Sequence, residues 1–345
     1  MKAELLDILI CPFTQKELQM LVFQQAGDEI QEGILWTDSS WYAIYDEVPR
    51  MVEERWFPKQ AFAQKYIDKL PEAVQKMQTT YTDGANSDHE QTISVFTNEW
   101  GSYTEVGWDD AMETFAGKTH FDSENLKNKW ILDVGCGNGR FSYAASQHDA
   151  NVVGIDLNGA IGKAYQNLKQ YGIRCVQADI LNLPFKPEVF DFIFSIGVLH
   201  HTQDTENAFK GLVPKLKAGG KVSTTYYRKG TWMRELTDNG IRFFTTRIPD
   251  KWVWNLSYIP SALAKFFRLI PLFPYQGRWI HVDQVIHTAI VHMRPQHDIC
   301  YDWWAPKIAN RFSKKTVHQW YEDMKLKEIS EIYYGPGAVA FKATK

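Results

Sequence analysis

The chain has 345 residues, 44% hydrophobic and 23% charged, enough to bury a sizeable core in one large domain with attachments. With 38 Lys and Arg against 41 Asp and Glu, its net charge of −3 supplies no global field for nucleic acid or an acidic membrane. Its four cysteines, Cys11, Cys136, Cys175 and Cys300, form no CxxC pair, which argues against a zinc ribbon, an iron–sulfur site or a disulfide framework. The opening MKAELLDILICPFTQKE carries acids and lacks a signal-type apolar run, and no stretch of 18 apolar residues occurs, so a cytoplasmic chain is expected. The aromatic content is high, at 13 Trp, 16 Tyr and 20 Phe.

In chain order the texture changes four times. Residues 1–55 are short apolar bursts between polar turns, ending in WYAIYDEVPRMVEE, and read as a small strand-rich module. Residues 56–125 hold a helical stretch, AFAQKYIDKLPEAVQKM, then a polar turn-rich segment and FTNEWGSY, which reads as a helical linker and the front wall of a site. In 126–229 apolar strands alternate with amphipathic stretches: WILDVG, FSYAASQH, NVVGID, AIGKAYQNLKQYG, IRCVQAD, FDFIFSIG and KVSTTYY. That alternation predicts an α/β fold with a parallel, doubly wound sheet. Residues 230–315 interrupt it with an aromatic insert, and 316–345 close the sheet with a helix and two strands. Only Trp130 of the 13 tryptophans falls within 126–229, so the aromatic excess belongs to the pieces wrapped around the core.

The sharpest signal is Asp133-Val-Gly135-Cys-Gly137-Asn138-Gly139-Arg140, placed between an apolar strand and a helix. Three glycines at such a turn let a ligand approach the backbone where helix N–H groups are free. A second strand ends at Asp156, 21 residues after Gly135, where a carboxylate reaches the hydroxyls of a ribose. A dinucleotide site favours GxGxxG; here the third glycine comes one residue early and an acid precedes the first. The segment resembles the DxGxGxG motif of class I S-adenosylmethionine (SAM)-dependent methyltransferases, with a Rossmann-like sheet. Ala178-Asp179-Ile180, Leu183-Pro184-Phe185, the strand Phe190–Gly197, Val198-Leu199-His200-His201 and Ala218-Gly219-Gly220 continue the likeness across about 130–229.

That resemblance implies SAM as cofactor. It implies that Gly135, Gly137 and Gly139 let the methionine portion lie against the backbone, while Asp133 orders the loop or receives the amino group. Asp156 takes the ribose diol, Leu157 packs on the adenine, and Asp179 with Ile180 addresses its edge. Ser195, Ile196 and Gly197 lie beneath the reacting methyl, and Asn138 and Arg140 flank the loop.

Methyl transfer needs chiefly alignment, and a base only where the acceptor must lose a proton. His200 and His201 follow the fourth core strand at the cleft mouth; their role is structural, as a turn or cofactor contact, or that of a base, and for a base His201 is preferred to His200. Tyr103 and Tyr226 complete the catalytic candidates. His287, His292 and His297 recur every five residues, a spacing that does not place a metal pair on one helical face, so no metal is expected. One histidine of this segment is an alternative contact for the acceptor.

Residues 1–53 also resemble a short bacterial zinc-ribbon-like domain, similar to the small activator subunit of several tRNA and protein methyltransferases. Cys11-Pro12 matches its opening, but Thr14 stands at the second cysteine position, so the module is expected to have lost its zinc and to serve as a docking or stabilising accessory, or as a plain structural extension. For the insert three readings compete, a substrate lid, a homo-oligomer interface and a membrane-resting segment, and the first two are favoured. The expected activity is therefore methyl transfer to O or N of a small-molecule acceptor of biosynthetic type. The alternatives are an RNA or protein methyltransferase and a catalytically silent SAM-binding scaffold. Against RNA stand the net charge and the lack of a basic run interleaved with aromatics.

Overall fold

The apolar runs of the core form parallel strands buried on both faces, and the N-terminal bursts join them edge to edge. The computed structural model describes residues 1–77, 87–102, 109–120, 126–275, 278–292, 294–335 and 337–345. In chain order the strands are β1 (Gln19–Ala26), β2 (Glu29–Trp36), β3 (Trp41–Tyr45), β4 (Val48–Met51), β5 (Trp130–Val134), β6 (Asn151–Asp156), β7 (Arg174–Ala178), β8 (Phe190–Ile196), β9 (Leu216–Tyr227), β10 (Pro271–Tyr275), β11 (Arg278–His281), β12 (Lys327–Tyr334) and β13 (Ala338–Thr344).

Eleven of them make one sheet in the order β1-β2-β3-β4-β7-β6-β5-β8-β9-β13-β12, and β10 and β11 form a separate hairpin. Pairing is parallel from β4 through β9, while β13 runs antiparallel to β9 and β12. The order turns back between β5 and β8, whose successors lie on opposite sides. In an open α/β sheet the crevice at the carboxyl ends of such strands is where ligands bind.

Two apolar cores flank the sheet. One packs Leu132, Val153, Phe190, Ile193 and Phe209 with Trp320 and Tyr321 of the closing helix Lys314–Asp323. The other packs Ile131, Val152 and Phe192 with Phe141, Leu168 and Phe115. The first core also takes in Met1, Leu5, Leu9, Tyr42 and Ile44, so the N-terminal strands continue the sheet and share its core. Cys11 is buried there, its Sγ 3.4 Å from Tyr42 Oη. The meander β1–β4 covers the edge of β7 that would otherwise present unpaired backbone. At the seam buried Arg50 donates to Gln177 Oε1 at 3.2 Å, and Gln177 Nε2 donates to Leu157 O at 2.9 Å. The module is thereby tied to the loop after β6.

Candidate active site

Gly135, Gly137 and Gly139 all have positive φ, which folds the loop after β5 back toward the sheet before the helix Arg140–Ser146 begins. Gly135 N and Cys136 N both donate to Ile155 O at 2.8 Å, pinning the loop to β6. A side chain at Gly137 would meet the indole of Trp100 at 3.0 Å. At Gly139, with φ +89°, a Cβ would lie 2.2 Å from Leu168 Cδ1. Gly139→Ala therefore combines left-handed strain with overpacking and is expected to cost about 2–5 kcal/mol. A urea unfolding curve with an unchanged midpoint would contradict that packing.

The loop opens onto a cavity of about 330 Å³, in the size range of small-ligand sites and mostly apolar. Gly135, Gly137, Asn138 and Arg140 reach it from the loop, and Asp156 with Leu157 from the end of β6. Asp179 and Ile180 follow β7, Ile196 ends β8, and Gly197, His200 and His201 follow it. Asp156 Oδ2 accepts from Gly137 N at 2.9 Å, and Oδ1 accepts from Asn158 N and Nδ2 at 3.1 and 2.6 Å. The acid of the second strand thus also shapes the glycine loop.

Four expected residues lie elsewhere. Asp133 is buried beneath the loop, accepting from Ser142 Oγ at 2.6 Å; burial, with Asp156 nearby, pushes its pKa up to about 7. Gly139 faces Leu168 rather than the cavity. Ser195 Oγ donates to Val134 O at 2.9 Å and stitches β8 to β5. Tyr226 is a correction: it sits in the first apolar core, edge-on to Trp320, because alternation along β9 turns it away from the cavity. Its neighbour Tyr227 lines the cavity instead. Tyr103 lies outside the described residues.

The two histidines differ in setting. His201 Nδ1 lies 2.7 Å from Ile308 O; a carbonyl only accepts, so Nδ1 carries the proton and Nε2 holds the lone pair. Burial lowers the pKa of His201 to about 3, so the ring is neutral at physiological pH. His200 is fully buried against Tyr227, ring centroids 3.7 Å apart, and burial drives its pKa well below the ordinary value. The insert histidines do not reach the cavity. His292 stacks on Trp303 at 4.1 Å and lies 3.1 Å from the Arg234 guanidinium, His287 packs on His292, and His297 stacks on Tyr258.

Near Arg140 stands a pair with no counterpart in the sequence patterns. Glu99, on the helix Ser87–Ser102, and Asp302, on the helix His297–Trp304, share a hydrogen bond. Glu99 is 3% exposed, and Asp302 lines the cavity. Burial holds both carboxyls above the usual range, and the bond between two such groups requires a proton on one of them. Phe96 and Trp100, from the same helix as Glu99, also line the cavity. Of the insert's described residues, Ile299 and Asp302 are those that line the cavity.

The strand order, the glycine loop and the acid ending β6 form a Rossmann-like core similar to that of class I SAM-dependent methyltransferases. Residues 132–224 match the family described as a methyltransferase domain. Over 100 residues the chain is 34% identical to a ubiquinone biosynthesis O-methyltransferase of Coxiella burnetii, covering 28% of this chain and 43% of that protein. It is 35% identical over 105 residues to a probable tRNA methyltransferase 9B of Homo sapiens, covering 30% of this chain and 22% of that protein. The chain thus spans less than half the length of these relatives. A solved phosphoethanolamine N-methyltransferase 2 of Haemonchus contortus aligns with TM-score 0.46 and 15% identity over 78% of this chain and 62% of that one.

Proposed function

We propose that this chain is a SAM-dependent methyltransferase that methylates an oxygen or nitrogen of a small, largely apolar molecule. The observation that carries the reading is one cavity that gathers the glycine loop and Asp156 with Tyr227, His201 and Asp302. Asp302 hydrogen-bonds Glu99, and the charge of Arg140 on the loop acts on both carboxyls.

The glycine loop, Asp156, Leu157 and Ile180 suit the cofactor. Gly137 lines the cavity with its backbone, its side-chain position facing the Trp100 indole, Asp156 offers a carboxylate to a ribose, and Leu157 and Ile180 offer apolar surface to an adenine. When bound, SAM supplies a methyl carbon that already carries its leaving group. The chain's own work is then to orient the acceptor, exclude water and receive a proton where the acceptor is a hydroxyl. His201, neutral and fixed by Ile308, orients through Nε2 but is too weakly basic to hold a proton. The ionised member of the Glu99–Asp302 pair receives the acceptor's proton at a carboxylate oxygen, since burial has raised its basicity toward neutral pH.

The relatives' names span small-molecule and tRNA acceptors. The mostly apolar cavity and the net charge of −3 favour the small molecule. Incubation with methyl-labelled SAM, a panel of phenols and amines, and total tRNA separates the two. Label is expected in a phenol or amine fraction; label recovered in tRNA alone would overturn the acceptor class.

A further inference from the structure

Two helices of the insert are built inside out. In Asp250–Phe267 the buried residues are Val253, Ser257, Ser261 and Ala264, all modest in size. The exposed stripe is Trp252, Leu256, Ile259, Leu263 and Phe266, spaced by alternating fours and threes. In Trp232–Thr245 the buried residues include Arg234 and Asp238, which form an ion pair at 3.3 Å with both side chains fully buried. Asp238 also accepts from Trp303 Nε1 at 3.0 Å and His292 N at 2.8 Å. The same helix exposes Trp232, Leu236, Phe243 and Phe244, at 75%, 66%, 56% and 69%. The hairpin β10–β11 adds exposed Leu272, Phe273, Tyr275 and Trp279. A helix in water turns its apolar stripe inward, so this reversal identifies a face whose outer medium is apolar.

The charges select that medium. Between residues 241 and 275 there are five cations and one acid, in a chain whose net charge is −3. Arg247, Lys251, Lys265 and Arg268 are exposed beside the apolar stripe, whereas the acid, Asp250, turns inward to Gln91 at 3.5 Å. A twofold contact between copies would set this cationic rim against itself. An anionic bilayer complements it, and Trp and Tyr rings suit the boundary between headgroups and acyl chains. Among the described residues no helix is long and apolar enough to cross a membrane, so the contact is one of lying on the surface.

We propose that this face, formed by the helices Trp232–Thr245 and Asp250–Phe267 with the hairpin β10–β11, docks the protein on an anionic lipid bilayer. Such docking is independent of which acceptor the enzyme methylates. It would still be felt at the cavity. Tyr258 stacks on His297 at 4.1 Å and Trp254 packs on Tyr301 at 5.1 Å, so the docking helix braces the helix that carries Asp302 to the cavity.

The test is sedimentation of the full chain with vesicles of phosphatidylcholine alone or mixed equally with phosphatidylglycerol. Binding to the mixed vesicles is expected, weakening as salt rises. The double variant Lys265→Glu/Arg268→Glu is expected to lose about tenfold or more in that binding. Leu263→Ser/Phe266→Ser should lose it as well. Both variants should keep the S-adenosylhomocysteine affinity of the parent, which shows that they fold. A parent chain that stays in the supernatant with both vesicle types overturns the proposal. So does a dimer in sedimentation velocity that Leu263→Ser/Phe266→Ser dissolves while no vesicle binds, since a second copy would then cover the face.

Discussion

Asp156→Ala is expected to weaken SAM binding by about 10- to 100-fold, the worth of a charge-assisted pair of hydrogen bonds. Two losses add. The carboxylate meant for the ribose diol disappears, and Gly137 N and the Asn158 amides lose their acceptor, so the glycine loop is no longer held in its cofactor-ready shape. Titration calorimetry with the product S-adenosylhomocysteine measures the change directly. Far-ultraviolet circular dichroism should stay that of the parent, because Asp133 and Ile155 still anchor the loop from below. An affinity equal to the parent's would mean that the ribose does not sit at the end of β6.

Asp302→Asn is expected to lower kcat by about 10²- to 10⁴-fold on a hydroxyl acceptor, the usual contribution of a positioned base. An amine acceptor that reacts through its neutral lone pair should lose far less. Asparagine preserves the shape and keeps a hydrogen-bond partner for Glu99, so cofactor affinity should hold. The pH dependence carries the sign. Burial raises the pair's pKa above the ordinary carboxylate value of about 4, so the parent rate falls as pH drops through that raised value and both carboxyls become protonated. In Asp302→Asn the acidic limb should flatten. Equal losses on hydroxyl and amine acceptors, with the limb unchanged, would reassign Asp302 to positioning.

The parts of this site that the sequence announces are those made within one turn of chain. The loop from Asp133 to Arg140 joins a strand to the helix after it, and its glycine spacing is dictated by local backbone geometry. Asp156 is legible because the length of one βαβ crossover fixes which residue ends the next strand. The Glu99–Asp302 pair is illegible for the opposite reason. Its members come from segments on either side of the core, and neither carries a local pattern. Tyr226 and Tyr227 show a subtler failure. The run KVSTTYY lacks the polar–apolar alternation that would reveal which tyrosine faces the cavity, and strand parity decides it. The insert's histidines look reactive in sequence because spacing alone says nothing of Arg234, Trp303 and Tyr258, the partners that occupy them. The N-terminal module looks separate because its strands are short and self-paired, while the strand register that joins it to the core is brief, Arg50 with Gln177 and Met51 with Ala178, and the shared apolar packing leaves no local pattern.

Whether the loop after β5 and the acid ending β6 form a cofactor site is tested most directly by S-adenosylhomocysteine binding to the unmodified chain, which requires no knowledge of the acceptor. Calorimetry should show one site per chain with a micromolar Kd. No heat of binding at millimolar ligand, with the chain shown to be folded, would contradict that assignment.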